Sequence, residues 1–527
     1  MVRIAVISFI GAVAIAFGVL SLAISPWCWP FAVWCAAVAG VGTRDLLQRR
    51  HSVLRNYPVL GHIRFMLESI RPELQQYFIE RNYDGRPFDR DVRSLVYQRA
   101  KGDDAELAFG TERNVYAEGY EYFEPSIRPL PVGVEEPRVR IGGPDCTKPY
   151  DMSLLNVSAM SFGSLSANAI LALNRGAALG GFAHDTGEGG LSEYHLRHGG
   201  DLVWEIGTGY FGCRTADGGF DRTRFAEKAA HDSVKCVSLK LSQGAKPGIG
   251  GVLPGEKVTA EIARVREVPE GQTVISPPYH QVFSTPRELI RFIAEMRELS
   301  AGKPVGFKLC VGSRREFLAV CKAMIEEGTA PDFIIVDGTE GGTGAAPLEF
   351  ADHLGTPLTE GLITVHNALV GVGLRDRIKI GASGKVATGA DIVKRMVQGA
   401  DFTNSARAMM FAIGCIQAQS CHTNTCPVGV ATQDPRRARA LHVDDKSARV
   451  HRFHSATVQS AQRIIASLGV DDPAEVRPHM LRRRVDPVTV QSYAELYEWL
   501  APGQLLIEPP ESWAADWKAA DPDRFNA

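Results

Sequence analysis

The hydrophobic pattern changes character twice along the chain. Residues 2–24 (VRIAVISFIGAVAIAFGVLSLAI) carry a single charge, Arg3, and are long enough for one bilayer crossing. Ser25 and Pro26 interrupt that run, and a shorter apolar stretch, WCWPFAVWCAAVAGV (27–41), follows. Arg44, Arg49 and Arg50 come next, so a helical hairpin with both ends cytoplasmic satisfies the positive-inside rule and sets Trp27 and Trp29 at the far interface. The alternatives are a cleaved signal peptide, which a thin charged leader and the lack of a small-residue cleavage site disfavour, or one span with an interfacial second segment.

Beyond the hairpin, HIRFMLESIRPELQQYFIER (62–81) has apolar residues at helical spacing, interrupted by Pro72. Residues 125–149 are dense in proline and glycine and read as an extended lead-in. From Leu154 the rhythm becomes short apolar runs ending in glycine- and serine-rich loops, alternating with helical segments. That is the signature of βα units and a parallel sheet. Strands are expected within 156–163, 181–190, 234–244, 304–312, 332–344, 377–384 and 401–408, with the eighth between 351 and 364. A crossover helix is expected at 387–400.

The fold class is therefore α/β, a (β/α)8 TIM barrel over residues 146–435. Before it stand the transmembrane helical hairpin (1–50) and a helical and extended connector (51–145), and after it a helical extension (436–527). Such barrels carry their chemistry on the loops at the C-terminal ends of the strands, where these glycines fall.

Composition narrows the function. The 58 basic and 60 acidic residues nearly cancel, so a nucleic acid partner held by a basic surface is not expected. The 52 glycines suit a backbone that approaches a bulky ligand at many loops. Ten cysteines in so long a chain are no disulfide scaffold and argue for a reducing compartment. GTGYFG (207–212) matches a dinucleotide-binding pattern, but the turn-rich CRTADGGFDR after it offers no helix N-terminus to a pyrophosphate. Lys240 and Lys308 lie inside apolar strand runs, where an unpaired ammonium is costly.

GCIQAQSCHTNTCPVGVATQ (414–433) holds Cys415, Cys421 and Cys426 in a C-x5-C-x4-C spacing. Spacing alone leaves an iron–sulfur centre, a zinc site and inert buried thiols open. The surrounding residues resemble the iron–sulfur segment of the FMN-binding glutamate synthase-like family. So do SAMSFGS, TGEGG, QGAKPG, DGTEGGTGA and TNTCPVGVATQ, which occur in that family's order across roughly residues 140–475. The chain is most similar to the short bacterial, membrane-anchored type.

The resemblance implies two cofactors, FMN and a 3Fe–4S cluster, the latter on Cys415, Cys421 and Cys426. It implies a strip under the isoalloxazine ring at Ala159, Met160 and Ser161, with Lys240 and Lys308 also on the cofactor side and Lys308 beside the N1–C2 end. Gly341, Gly342, Thr343 and Gly344 would let backbone approach the flavin. In flavin barrels the phosphate sits after the last two strands, here Gly381, Ser383 and Gly384 with Ser405, Ala406 and Arg407. Glu188, Gln243 and Lys246 match the substrate-side positions.

The implied activity is reductive amination of a 2-oxo acid such as 2-oxoglutarate with ammonia or an amine donor, the electrons coming from a ferredoxin-like or flavoprotein partner. The implied location is the inner membrane, with the catalytic domain cytoplasmic. No counterpart of the family's glutaminase domain or C-terminal β-helix is expected. Where the family reads K-P-G-E-G-G-Q this chain reads KPGIGGV, so Ile249 and Val252 replace an acid and an amide. That departure leaves two alternatives: a related barrel for a different 2-oxo or amino acid, or a membrane-tethered electron-transfer module.

Overall fold

The first apolar run forms one uninterrupted helix, α1 (Val2–Ala23). Ser25 caps the short turn Pro26–Cys28, and α2 (Trp29–Leu47) returns. Phe17 stacks on Phe31 at 5.7 Å, and a side chain at Gly42 would press on Ile7, so the two helices run antiparallel as a hairpin. Buried Asp45 accepts the Val59 N–H at 3.0 Å and pairs with His62, which ties α2 to α3 (Gly61–Leu74). Pro72 lies inside α3, and the helix loosens into a π turn at Gln75–Ile79. Among the described residues, α1 is the one helix long and apolar enough to cross a bilayer. These elements belong to a compact unit, Met1–Arg90, separate from Asp91–Ala527. The computed structural model describes residues 2–103 and 105–525.

The second unit opens within α4 (Arg90–Lys101) and is built on eight parallel strands. They are β1 (Leu155–Val157), β2 (His184–Asp185), β3 (Leu202–Ile206), β4 (Val234–Lys240), β5 (Val305–Leu309), β6 (Phe333–Asp337), β7 (Lys379–Ser383) and β8 (Phe402–Ser405). Each pairs with the next in sequence and β8 pairs with β1, so the sheet closes as a TIM barrel.

One expectation was misplaced. The eighth strand is not between 351 and 364, where the chain is helical; it is β3, LVWEI, directly before GTGYFG. All five β3 residues are buried, so nothing in that run alternates visibly between apolar and polar. After GTGYFG the chain makes turns, and no helix starts until Arg222.

The barrel's outer layer comprises α5 (Ala167–Gly180), α6 (Arg222–Ala229), α7 (Ala260–Arg266), α8 (Pro286–Leu299), α9 (Arg314–Glu327), α10 (Leu358–Gly371), α11 (Gly389–Val397), α12 (Arg407–Ala412) and α13 (Val443–Ser467). Local signals set their ends. Ser166 caps α5, and Gly181 ends it in the left-handed region, φ +62°. Thr388 and Asp391 form a capping box on α11. The outward faces of the strands, among them Trp204, Leu239, Phe307, Ile334 and Ile380, bury against these helices.

The inward faces divide by height. Near the N-terminal end Ala183, Val203, Cys236, Phe333, Ile335 and Phe402 form an apolar plug, closed below by Ile141 and Met152 of an antiparallel ribbon, Arg138–Ile141 with Tyr150–Ser153. The C-terminal extension contains α13 as expected, but it also sends two strands, Leu481–Arg484 and Val490–Ser492, into a three-stranded sheet with Glu121–Phe123.

Candidate active site

Above the plug, the inward positions become charged. Lys240 and Lys308 occupy paired register positions on β4 and β5, each with its own acid. Lys308 Nζ is 2.6 Å from Glu205 of β3, and Lys240 Nζ is 3.0 Å from Glu188 of the loop after β2. Lys240 also donates to the side-chain carbonyl of Gln243. Burial would lower the pKa of Lys308, but Glu205, Asp185 and Asp337 more than reverse that and hold it charged. Asp185 is pushed well above the usual carboxyl range, first by burial and then by Glu205. Its Oδ2 has no hydrogen-bond partner among the described residues.

Glu188 is the convergence point of the substrate-side residues. Burial alone would raise its pKa, but Lys240, Arg266 and Lys246 outweigh burial and keep it ionised. Space for its carboxylate comes from glycine: a Cβ at Gly207 would lie 2.6 Å from Glu188 Oε2, and one at Gly251 would run into the carboxylate. Lys246 is 3% exposed, and burial lowers its pKa. Arg266, at the end of α7, reaches in to donate to Ser161 Oγ and the Phe162 carbonyl, both at 3.1 Å. The structure thus gathers Glu188, Gln243, Lys240 and Lys246 at one place. Of the two departures, Val252 is 39% exposed on a short ribbon and Ile249 is half-buried.

The loops after β6, β7 and β8 meet beside this group. Arg407 donates to the Glu340 carbonyl at 2.6 Å, and a side chain at Gly342 would strike its guanidinium. Ser383 Oγ lies 3.4 Å from Ser158 Oγ, and Ser405 Oγ donates to the Val386 carbonyl at 2.7 Å. Gly342, Thr343 and Gly344 are exposed, while Gly341 lies against the Asp337 carboxylate. Ala406 precedes the first turn of α12, and Gly384 closes β7's loop against Leu358. Gly381 has a different reason to be glycine: it is mid-strand, and a Cβ there would come within 2.5 Å of the Phe402 ring. Its bareness serves the plug, not the loop.

The cysteine loop packs on the loop after β1, which carries Ala159, Met160 and Ser161. Gln433 Nε2 donates to the Gly163 and Leu165 carbonyls at 3.0 and 2.8 Å, and Ser166 donates to the Gly429 carbonyl at 2.7 Å.

Residues 135–471 match the conserved region in glutamate synthase. The glutamate synthase large subunit-like protein YerD of Bacillus subtilis (strain 168) is 37% identical over 521 residues, covering 90% of this chain and 96% of YerD. The chain belongs to the glutamate synthase family. The archaeal-type glutamate synthase (NADPH) of Thermotoga neapolitana is 34% identical over 317 residues, 60% of this chain and 59% of that protein. The chain therefore spans only about three fifths of that relative's length. A solved mandelate oxidase with (S)-4-hydroxymandelic acid covers 75% of this chain and 98% of its own at 14% identity and TM-score 0.44, too loose a likeness to add to the barrel its strands define.

Within this glutamate synthase-family chain the three loop cysteines act electrostatically on one another. Burial pushes the Cys415 thiol up to about 12, and Cys421 and Cys426 push the same way. The Gln417 N–H donates to Cys415 Sγ at 3.5 Å. Among the described residues, no three His, Cys, Asp or Glu side chains close on a single ion, so the zinc alternative gains nothing.

Sequence reasoning missed Glu205, Asp185 and Arg266 as members of the site. An acid inside LVWEI was the available signal for Glu205, once that run is recognised as a strand. Arg266 sits far along the excursion between β4 and α8 and carried none.

Proposed function

We propose that the protein is a glutamate synthase-like oxidoreductase that uses FMN and a 3Fe–4S cluster to aminate a 2-oxo acid such as 2-oxoglutarate reductively. The observation that carries this reading is the convergence of Lys240, Lys246 and Arg266 on the single buried carboxylate of Glu188. Three cations around one acid leave positive charge for a second carboxylate, which a 2-oxo acid brings. Ionised Glu188 takes the proton that ammonia sheds on adding to the 2-oxo carbon and returns it to the departing hydroxyl, giving an imine and water. Gln243 holds Lys240 in place beside Glu188. When bound, FMN would supply the hydride for the C=N bond; Ser383, Gly384, Ser405 and Arg407 would hold its phosphate, and Ala159, Met160, Ser161 and Lys308 would line its ring. Cys415, Cys421 and Cys426 would hold the cluster, the electrons coming from a ferredoxin-like or flavoprotein donor.

The α1–α2 hairpin anchors the chain in the inner membrane with the barrel on the cytoplasmic side. Removal of residues 1–50 releases the protein from membranes without loss of flavin; a truncated protein that resists a high-salt wash defeats the anchor. The chemistry is tested anaerobically with reduced protein, 2-oxoglutarate and either ammonium or glutamine. Glutamate and flavin reoxidation are expected with ammonium and not with glutamine alone. No amino acid from either nitrogen source, with the flavin still reducible, would overturn the aminating reading.

A further inference from the structure

Lys257 ends the short 3-10 turn Gly255–Lys257 in the excursion between β4 and α8, and it is 2% exposed. Its ammonium donates to three backbone carbonyls: Cys421 at 2.6 Å, Ala431 at 3.1 Å and Ser164 at 3.2 Å. Two of these lie within the cysteine loop, and the third belongs to the loop after β1. Among the described residues no carboxylate lies within ion-pair distance of Lys257. A buried ammonium bonded only to neutral carbonyls is costly in a low-dielectric place unless an anion compensates it. The groups that act on it electrostatically, against the lowering effect of burial, are the thiols of Cys421 and Cys426.

We propose that Lys257 is the counter-ion of the cysteine centre, a positioning residue that ties the cysteine loop to the loop after β1 and whose charge favours the electron-rich state of the group held there. The proposal rests on the reading of Cys415, Cys421 and Cys426 as cluster ligands. One electron added to a thiolate-bound cluster adds one negative charge, with no bond made or broken. A fixed positive charge in the same pocket lowers the energy of the reduced state more than that of the oxidised state. The geometry separates charge from scaffolding: the three carbonyl bonds need a donor, and the redox effect needs a cation.

Two variants of the full-length protein, purified anaerobically, test this by iron and sulfide content and by an EPR-monitored redox titration with dithionite. Lys257→Gln retains a donor without the charge, and Lys257→Arg retains the charge. At the wild-type midpoint potential the reduced-to-oxidised ratio falls about tenfold in Lys257→Gln, equivalent to ~59 mV for one electron. Lys257→Arg stays close to wild type. An unmoved midpoint in an iron-replete Lys257→Gln protein overturns the proposal while leaving the cluster reading intact. If Lys257→Gln loses iron, the arginine variant decides: a retained cluster supports the need for charge, and a lost cluster with flavin still bound overturns it. Wild-type protein without iron and sulfide overturns the cluster reading, and this proposal with it.

Discussion

The lower and upper levels of the barrel interior are lined by the same strands on the same inward face. At the lower level β3 offers Val203, β6 offers Phe333 and β8 offers Phe402; further along, β3 offers Glu205, β4 and β5 offer lysines and β6 offers Asp337. The lower level is stabilised by burial without specific partners. The upper level is stable only as matched pairs, because each charge removed from water needs its own compensation. The contrast predicts different sensitivities at the two levels. Packing changes below should reduce stability and spare chemistry, whereas charge changes above should affect chemistry, stability or both.

The largest effect is expected at the convergence point. Glu188→Gln fills the same space between Gly207 and Gly251 but cannot carry protons. Turnover with 2-oxoglutarate and ammonium should fall about 10²–10⁴-fold, a larger loss than the accompanying fall in stability, which follows because Lys240, Lys246 and Arg266 lose their shared counter-charge. An equal loss of stability and turnover would show Glu188 to be a packing residue, and the contrast between levels would fail there.

Next is the buried pair. Glu205→Ala leaves Lys308 charged and unpaired, and should cost about 3–5 kcal/mol in urea unfolding. The double variant Glu205→Leu with Lys308→Met removes both charges and should recover most of that loss. A single variant as stable as the parent would mean that water or Asp337 already compensates Lys308.

Much of the lower level was legible in the sequence and much of the upper level was not. Seven strands stood out because each apolar run ended in glycine or serine. β3 did not, since its loop began with a glycine motif that resembled something else and its five buried residues show no alternation. Without β3 the register of its neighbours is one strand short, so Glu205 and Lys308 cannot be matched as partners. Lys240 and Lys308 were recognisable as anomalous in apolar runs, but a lysine's partner is set by which strand lies beside it. Gly381 shows the same limit: a glycine at a strand end and one facing a phenylalanine on the neighbouring strand look alike in sequence, and only the Phe402 ring tells them apart.

A smaller effect joins pH to the upper level. His280 Nε2 lies 2.8 Å from the Lys240 carbonyl, its Nδ1 lies 3.1 Å from the Tyr210 hydroxyl, and burial pulls its pKa down to about 4. The folded protein keeps it neutral, whereas the unfolded chain protonates it near the ordinary histidine value of about 6.5. Between those values the unfolded state binds more protons. The contribution of His280 is therefore complete above about pH 6.5 and is lost as pH falls towards about 4, up to ~3 kcal/mol. Urea unfolding from pH 7 to 4.5 should show a shallower acid loss in His280→Gln than in the parent. An identical slope would place the titration elsewhere.

The smallest predicted effect isolates the lower level. Gly381→Ala puts a Cβ within 2.5 Å of the Phe402 ring, and both residues are buried among the β7 and β8 partners of the plug. Overpacking of this kind costs about 1–3 kcal/mol, because the ring must leave its preferred position or the strands must part. Phe402→Leu should cost about as much alone, by leaving space. Combined, the two changes compensate, since the smaller side chain vacates the volume the new methyl needs. A double-mutant cycle should therefore give a coupling of about 1 kcal/mol or more in the favourable direction. Flavin content should stay at the parent's level in all three variants. Additive losses would mean that the ring and the glycine do not share a space. Flavin loss in Gly381→Ala alone would return this glycine to the cofactor loop, and with it the boundary between the two levels would move down by one residue pair.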